Sequence, residues 1–151
     1  MDTVDSKTRS KIMSRVKGKH TKPELLIRRA LHRKGFRYRL HVKNLPGHPD
    51  LVFPKYKAII LVNGCFWHDH GCYLSTKPST RKEFWQEKFQ RNKVRDRKNI
   101  EYYRKRGWRV LIVWECALKG RDRQDLDEVI FEASGWLKSD TGLHEIAGFP
   151  K

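Results

Sequence analysis

Residues 61–72 read LVNGCFWHDHGC, a strand-like apolar start that runs straight into two cysteines, two histidines and an aspartate. Apolar packing has no use for that density of metal-binding side chains. A third cysteine, Cys116, directly follows WRVLIVWE, the most hydrophobic run of the chain. Cys65, Cys72 and Cys116 with one histidine make four ligands of the kind that close a tetrahedral zinc site, with sulfur at about 2.3 Å and imidazole nitrogen at about 2.0–2.1 Å. Four protein ligands leave no open position for water, so such a zinc is structural: it pins an irregular loop to the end of a central strand. The spacing C-x4-H-x-C is not a common finger pattern. On the residues alone either His68 or His70 completes the set, and the other is left as an imidazole beside the sheet edge. Three cysteines are also an odd count, which in a reducing compartment points to metal ligands or core residues before a disulfide framework.

The rest of the chain supplies a frame for that constraint. A length of 151 residues suits one core, and the expected division is a basic arm over 1–20 and a single domain over 21–151. TKPELLIRRALHRKG predicts a helix with Thr21 as N-cap and Glu24 as its capping-box partner. Leu26, Ile27, Ala30 and Leu31 form its apolar stripe, and Gly35 ends it. Alternation in FRYRLHV, the turn NLPGHP and the apolar runs DLVF and AIILV read as a three-stranded meander over 36–62. Thr80 and Glu83 form a second capping-box pattern, followed by one long basic helix or two consecutive ones up to Gly107. WRVLIVWE reads as a central strand covered on both faces. A last helix near Asp125 to Lys138 buries Leu126, Val129, Ile130, Ala133 and Trp136. The sum is an α/β sandwich.

Charge narrows the partner. Lys and Arg number 34 against 17 acidic residues, a formal net charge of +17. A small enzyme for neutral metabolites does not need such a charge, whereas a nucleic-acid binder gains most of its sequence-independent affinity from it. The first ten residues are polar and charged, with no hydrophobic leader, and no later run approaches a membrane span. A soluble cytoplasmic protein with no membrane partner is the expectation.

TRSKIM, LPGHPDLVF, NGCFWHDHGCY, EFWQEK, RNKVRDR and GWRVLIVWECALKG together resemble the very-short-patch repair (Vsr) DNA mismatch endonucleases, in register from about Thr8 to Gly120. The resemblance implies a restriction-endonuclease-like core, a central mixed sheet flanked by helices. It also implies Mg2+-dependent nicking beside the thymine of T:G mismatches, which arise when 5-methylcytosine deaminates. Asp50 matches the catalytic metal-binding aspartate and the Val62 main-chain carbonyl its second ligand. His68 matches the general base, which assigns His70 to zinc with Cys65, Cys72 and Cys116. Glu24 and Asp96 match acidic residues that orient metal-bound waters, and Asn92 a residue that reaches the phosphate.

Phe66, Trp67 and Trp85 match aromatics that enter the DNA stack, and Arg9, Lys11 and Met13 would hold the opposite groove. Asn63 departs from the pattern, since family members often carry histidine there, and an asparagine cannot transfer the proton. Its remaining role is a hydrogen bond to a phosphate oxygen or a metal-bound water. The expected acting species is a monomer on double-stranded DNA in the bacterial cytoplasm, associated with the nucleoid, with a MutL-type repair protein as an open accessory partner. Two other readings share the same charge and cysteines: a zinc-stapled, non-catalytic DNA-binding module, and a restriction-type nicking nuclease indifferent to mismatches.

Overall fold

A computed structural model describes residues 21–149. The proposed arm, with Arg9, Lys11 and Met13, lies outside the described residues.

Helix α1 spans Lys22–Arg33, and Thr21 caps it by accepting from the Glu24 N–H. The Glu24 carboxylate does not return to the cap as a capping box requires. It turns inward instead, 1% exposed, against Arg28 and His41. Ile27, Ala30 and Leu31 are buried as the periodicity demands, while Leu26 is half-buried.

The meander is present in shortened form. β1 is only Arg39–Leu40, β2 is Leu51–Phe53 and β3 is Ala58–Asn63, each antiparallel to the next. Phe36 and Tyr38 lie before the first strand: Phe36 is buried, and Tyr38 packs edge-on against Phe53. A single helix α2 then runs from Lys82 to Lys105. Thr80 does not cap it. The N-cap is Arg81, left-handed at φ 53° and without a side-chain cap bond, so the second capping-box expectation is overturned.

β4, Arg109–Trp114, lies parallel to β3 on one side and to β5, Leu143–Ile146, on the other. The five strands therefore stand in chain order in one mixed sheet. Helix α3, Leu126–Leu137, precedes β5 and carries the expected buried positions, although Leu126 is only half-buried.

Strand alternation divides the core. Leu51, Phe53, Ile60, Leu111 and Val113 meet α1 and α3 on one face. Val52, Ile59, Val110, Ile112 and Trp114 meet Tyr103 and Ile100 of α2 on the other. β4 is thus covered on both faces, as its unbroken apolar run requires. Arg109 ties the layers together at the N-terminal end of β4, donating to the carbonyls of Tyr56, Trp136 and Leu137 at 3.1, 3.0 and 2.7 Å, so it satisfies the last turn of α3.

Candidate active site and metal centre

A single stripe of α2 supports both sides of the site. Asn92, Asp96, Asn99 and Tyr103 follow one another at helical spacing and share one face of the helix. Asn92 Nδ2 donates to the Trp67 carbonyl at 3.0 Å, and Asp96 Oδ2 lies 2.5 Å from His68 Nδ1. Further along, the Tyr103 hydroxyl donates to the Pro46 carbonyl. Gly47 sits at φ 77° with Asn99 so close that a Cβ would come within 2.5 Å of its Nδ2, which explains the glycine in LPGHPD. The upper half of the stripe holds the cysteine–histidine loop and the lower half holds the turn that delivers Asp50.

Between these two clamped segments lies a cleft of about 460 Å³ whose lining includes Asp50, Asn63, His68, Asp96 and Arg95. Asp50 precedes β2, where register places it beside the C-terminal half of β3, and its Oδ2 accepts from the Val62 N–H at 2.8 Å. His41 pairs with it across the first two strands, its N–H donating to the Asp50 carbonyl at 3.2 Å. The His41 Nε2 is 2.9 Å from Glu24 Oε1 and 3.9 Å from Asp50 Oδ1. Burial, opposed by the Val62 N–H and reinforced by the Glu24 carboxylate, pushes the Asp50 carboxyl up to about 7.

That shift fixes a sign. A carboxyl whose folded value lies above its ordinary 3.8 contributes stability below that value and loses it as pH rises towards about 7. Asp50→Asn, which keeps an oxygen for the Val62 N–H, is expected to stabilise the metal-free chain at pH 8 by roughly 2–4 kcal/mol, with the gain vanishing below about pH 4. Urea denaturation at the two pH values checks it; equal stability of the two proteins at pH 8 would refute the burial argument.

The second constellation closes behind the cleft. Cys65, His70, Cys72 and Cys116 offer ligand atoms that all lie within 4.8 Å of one another, a set that could hold a metal ion. The loop is built for it by its own backbone: the His70 N–H donates to the Cys65 carbonyl at 3.0 Å, and Ser75 Oγ donates to the same oxygen at 3.0 Å. The sulfurs of Cys65 and Cys116 each accept a backbone N–H at 3.3 Å, from Cys116 and Gly148 respectively. His70 stacks on Trp114, ring centroids 4.0 Å apart and 9° from parallel. Burial lowers the His70 imidazole, which keeps it neutral and ready to ligate, and burial raises the Cys65 and Cys116 thiols. A bound cation would reverse that penalty on the thiolates.

Phe66, Trp67 and Trp85 form one aromatic ridge with Phe89, their centroids 5.1–6.1 Å apart. Lys88 lies over both tryptophan rings. The residues anticipated for catalysis thus fall on the cleft or beside it, and those anticipated for zinc fall in the metal constellation. Asn92 is occupied with the Trp67 carbonyl and with Arg95, as an anchor of the loop.

A family model described as DNA mismatch endonuclease Vsr matches residues 1–74. The DNA mismatch endonuclease Vsr of Escherichia coli (strain K12) is 42% identical over 154 aligned positions, 97% of this chain and 99% of its own. This chain belongs to the Vsr family of DNA endonucleases. Two relatives carry a different description: type II nicking enzyme V.XorIIP of Xanthomonas oryzae pv. oryzae is 41% identical, covering 83% of this chain and 97% of its own. Type II nicking enzyme V.NmeAIP of Neisseria meningitidis is 40% identical over 87% and 95%. Sequence reasoning gave no site role to His41, Asn99, Tyr103 or Trp114. The helical spacing of Asn92, Asp96, Asn99 and Tyr103 was a usable signal for two of them; His41 had none. Among the described residues no helix is long and apolar enough to cross a membrane.

Proposed function

We propose that the chain is a Mg2+-dependent mismatch endonuclease that nicks beside the thymine of T:G mismatches left by 5-methylcytosine deamination, on a restriction-endonuclease-like core stapled by zinc. The observation that carries this reading is that Asp50 and the His68–Asp96 pair line one cleft, next to an aromatic ridge on a strongly basic chain. The zinc assignment draws on distance. An ion with ordinary zinc bond lengths at tetrahedral angles sets sulfur and nitrogen about 3.5–3.6 Å apart, and the Cys65 and Cys116 sulfurs are each 3.6 Å from His70 Nδ1.

Mg2+ held by Asp50, with the Val62 carbonyl as second ligand, would supply stabilisation of the charge that builds on the scissile phosphate. The protein's own groups do the rest. Asp96 accepts from His68 Nδ1, which fixes the tautomer and leaves Nε2 as the base that takes a proton from the attacking water. Glu24 orients water near Asp50 from its buried position. Asn63 donates a hydrogen bond to a phosphate oxygen, and Arg95 adds positive charge to the same cleft. The ridge of Phe66, Trp67 and Trp85 wedges between base steps, and a weakly paired T:G step opens at lower cost than a matched one. The basic arm holds the opposite groove, and the acting species is a monomer in the bacterial cytoplasm, on the nucleoid, with a MutL-type repair protein as an open accessory partner.

The relatives described as type II nicking enzymes favour a second reading, nicking without mismatch dependence. A panel of duplexes differing only in T:G against C:G separates them. The mismatch reading predicts at least about tenfold faster nicking of T:G, the size of a 1–3 kcal/mol discrimination; equal rates support the second reading. His68→Ala is expected to lower the rate by about 10²–10⁴-fold, the range of general-base loss, with metal content unchanged. Loss of zinc in that variant would mean that His68 and His70 have exchanged roles.

A further inference from the structure

Two groups of His, Cys, Asp or Glu side chains among the described residues gather their ligand atoms within 4.8 Å. One is the cysteine set; the other is Glu24, His41 and Asp50. We infer that His41 is a direct ligand of the cation held at Asp50, so that this nitrogen-and-oxygen site binds Mn2+ more tightly than the Mg2+ that supports nicking. The inference rests on the reading of Asp50 as a metal ligand and adds the imidazole to it.

Three separate segments deliver the three groups: Glu24 from α1, His41 from just after β1, and Asp50 from just before β2. His41 stands opposite Asp50 in continuation of the β1–β2 register, in which Leu40 pairs with Leu51. Its backbone is left-handed at φ 46°, a conformation that costs a non-glycine residue energy and is kept where the surroundings require it. The side chains are 12%, 1% and 16% exposed for His41, Glu24 and Asp50, so the group is shielded from bulk water.

A purely structural role for His41, neutralising Glu24, explains less. Arg28 Nη1 already lies 2.8 Å from Glu24 Oε2, while Oε1 is the oxygen turned to His41. His41 Nε2 and Asp50 Oδ1, 3.9 Å apart, fall between the cis edge of about 3.0 Å and the trans span of about 4.3 Å of an octahedral ion with ligands near 2.1–2.2 Å, so both atoms reach one ion. Hard Mg2+ gains little from an imidazole, whereas transition ions take nitrogen readily and bind mixed nitrogen–oxygen sites more tightly.

The experiment uses the full chain and Mn2+ without DNA. Wild-type protein should bind Mn2+ at least about tenfold more tightly than Mg2+ by competition, and pulsed EPR of the bound ion should show 14N coupling from a directly bound imidazole. His41→Gln, which preserves a hydrogen bond to Glu24, should abolish that coupling and weaken Mn2+ by about tenfold, with Mg2+ affinity changed less than about threefold. Bound Mn2+ with no 14N coupling in the wild-type protein, or coupling that persists in His41→Gln, overturns the role of His41. Should the variant not fold, a wild-type spectrum without 14N coupling still overturns the role of His41. Asp50→Ala tells the two layers apart: Mn2+ binding that survives it undiminished overturns the Asp50 reading as well, and binding that vanishes in it without 14N coupling in wild type overturns His41 alone.

Discussion

Asp50→Ala is expected to bind a T:G duplex with a Kd within about threefold of wild type while nicking it slower by about 10³-fold or more. The two halves have different physical origins. Affinity for DNA comes from cations that release counterions from the phosphates, and the chain carries 34 of them, many exposed along α2. Removing one carboxylate from a +17 protein costs none of that. Chemistry depends on charge stabilisation placed where the phosphate reacts, and losing one such element alone costs about 10²–10³ in other enzymes. Asp50 is also braced for the task, since its Oδ2 accepts from the Val62 N–H and its own carbonyl accepts from His41. Single-turnover nicking and gel-shift titration in the same buffer measure both halves. Wild-type-like nicking by the variant would remove the catalytic assignment, and wild type inert with every divalent ion would favour the non-catalytic DNA-binding module.

The second large effect is expected at the cysteine site. Cys116→Ser should take the zinc content of purified protein from one equivalent to almost none and lower the Tm by about 10–20 °C, which for a chain of this size corresponds to about 5 kcal/mol. Cys116 joins segments that are distant in the chain. It stands just after β4, its backbone N–H donates to the Cys65 sulfur, and its own sulfur accepts from Gly148 just beyond β5. Without the ion, the loop from Gly64 to Ser75 keeps only its turns and the contacts to α2, and His68 loses the frame that aims it at the cleft. Nicking should fall with the zinc. The α1–α3 side of the core has no part in the site, so helix content should persist at 25 °C. Elemental analysis with thermal melts checks the outcome; a Cys116→Ser protein holding one full equivalent of zinc and nicking normally would refute it.

How much of the molecule was legible in its sequence depended on whether a residue's role is local. Helices α1 and α3 announce themselves through apolar spacing, and Cys65 and Cys72 through proximity in the chain to two histidines, between which only the family resemblance chose His70. β5 could not be read that way: Leu143 is exposed, Ile146 is its one buried residue, and it becomes a strand only by pairing with β4. The failed cap at Thr80 has a related cause, since the loop from the metal site reaches α2 through a left-handed Arg81, and tertiary connection overrode local chemistry. Glu24 satisfied a capping-box pattern on paper, yet its carboxylate is drawn inward by Arg28 and His41, partners 4 and 17 residues away. The stripe from Asn92 to Tyr103 shows in the sequence only through its helical spacing, because the charged residues around it leave little amphipathic contrast.

The central claim is that Asp50 and His68 act on the same phosphodiester within one cleft. A double-mutant cycle of Asp50→Asn and His68→Ala, read by single-turnover nicking of a T:G duplex, tests it most directly. Groups that serve one transition state are strongly non-additive, so the double variant should be slower than the poorer single variant by no more than about tenfold. Losses that multiply in full would contradict the account and place the two residues in separate functions.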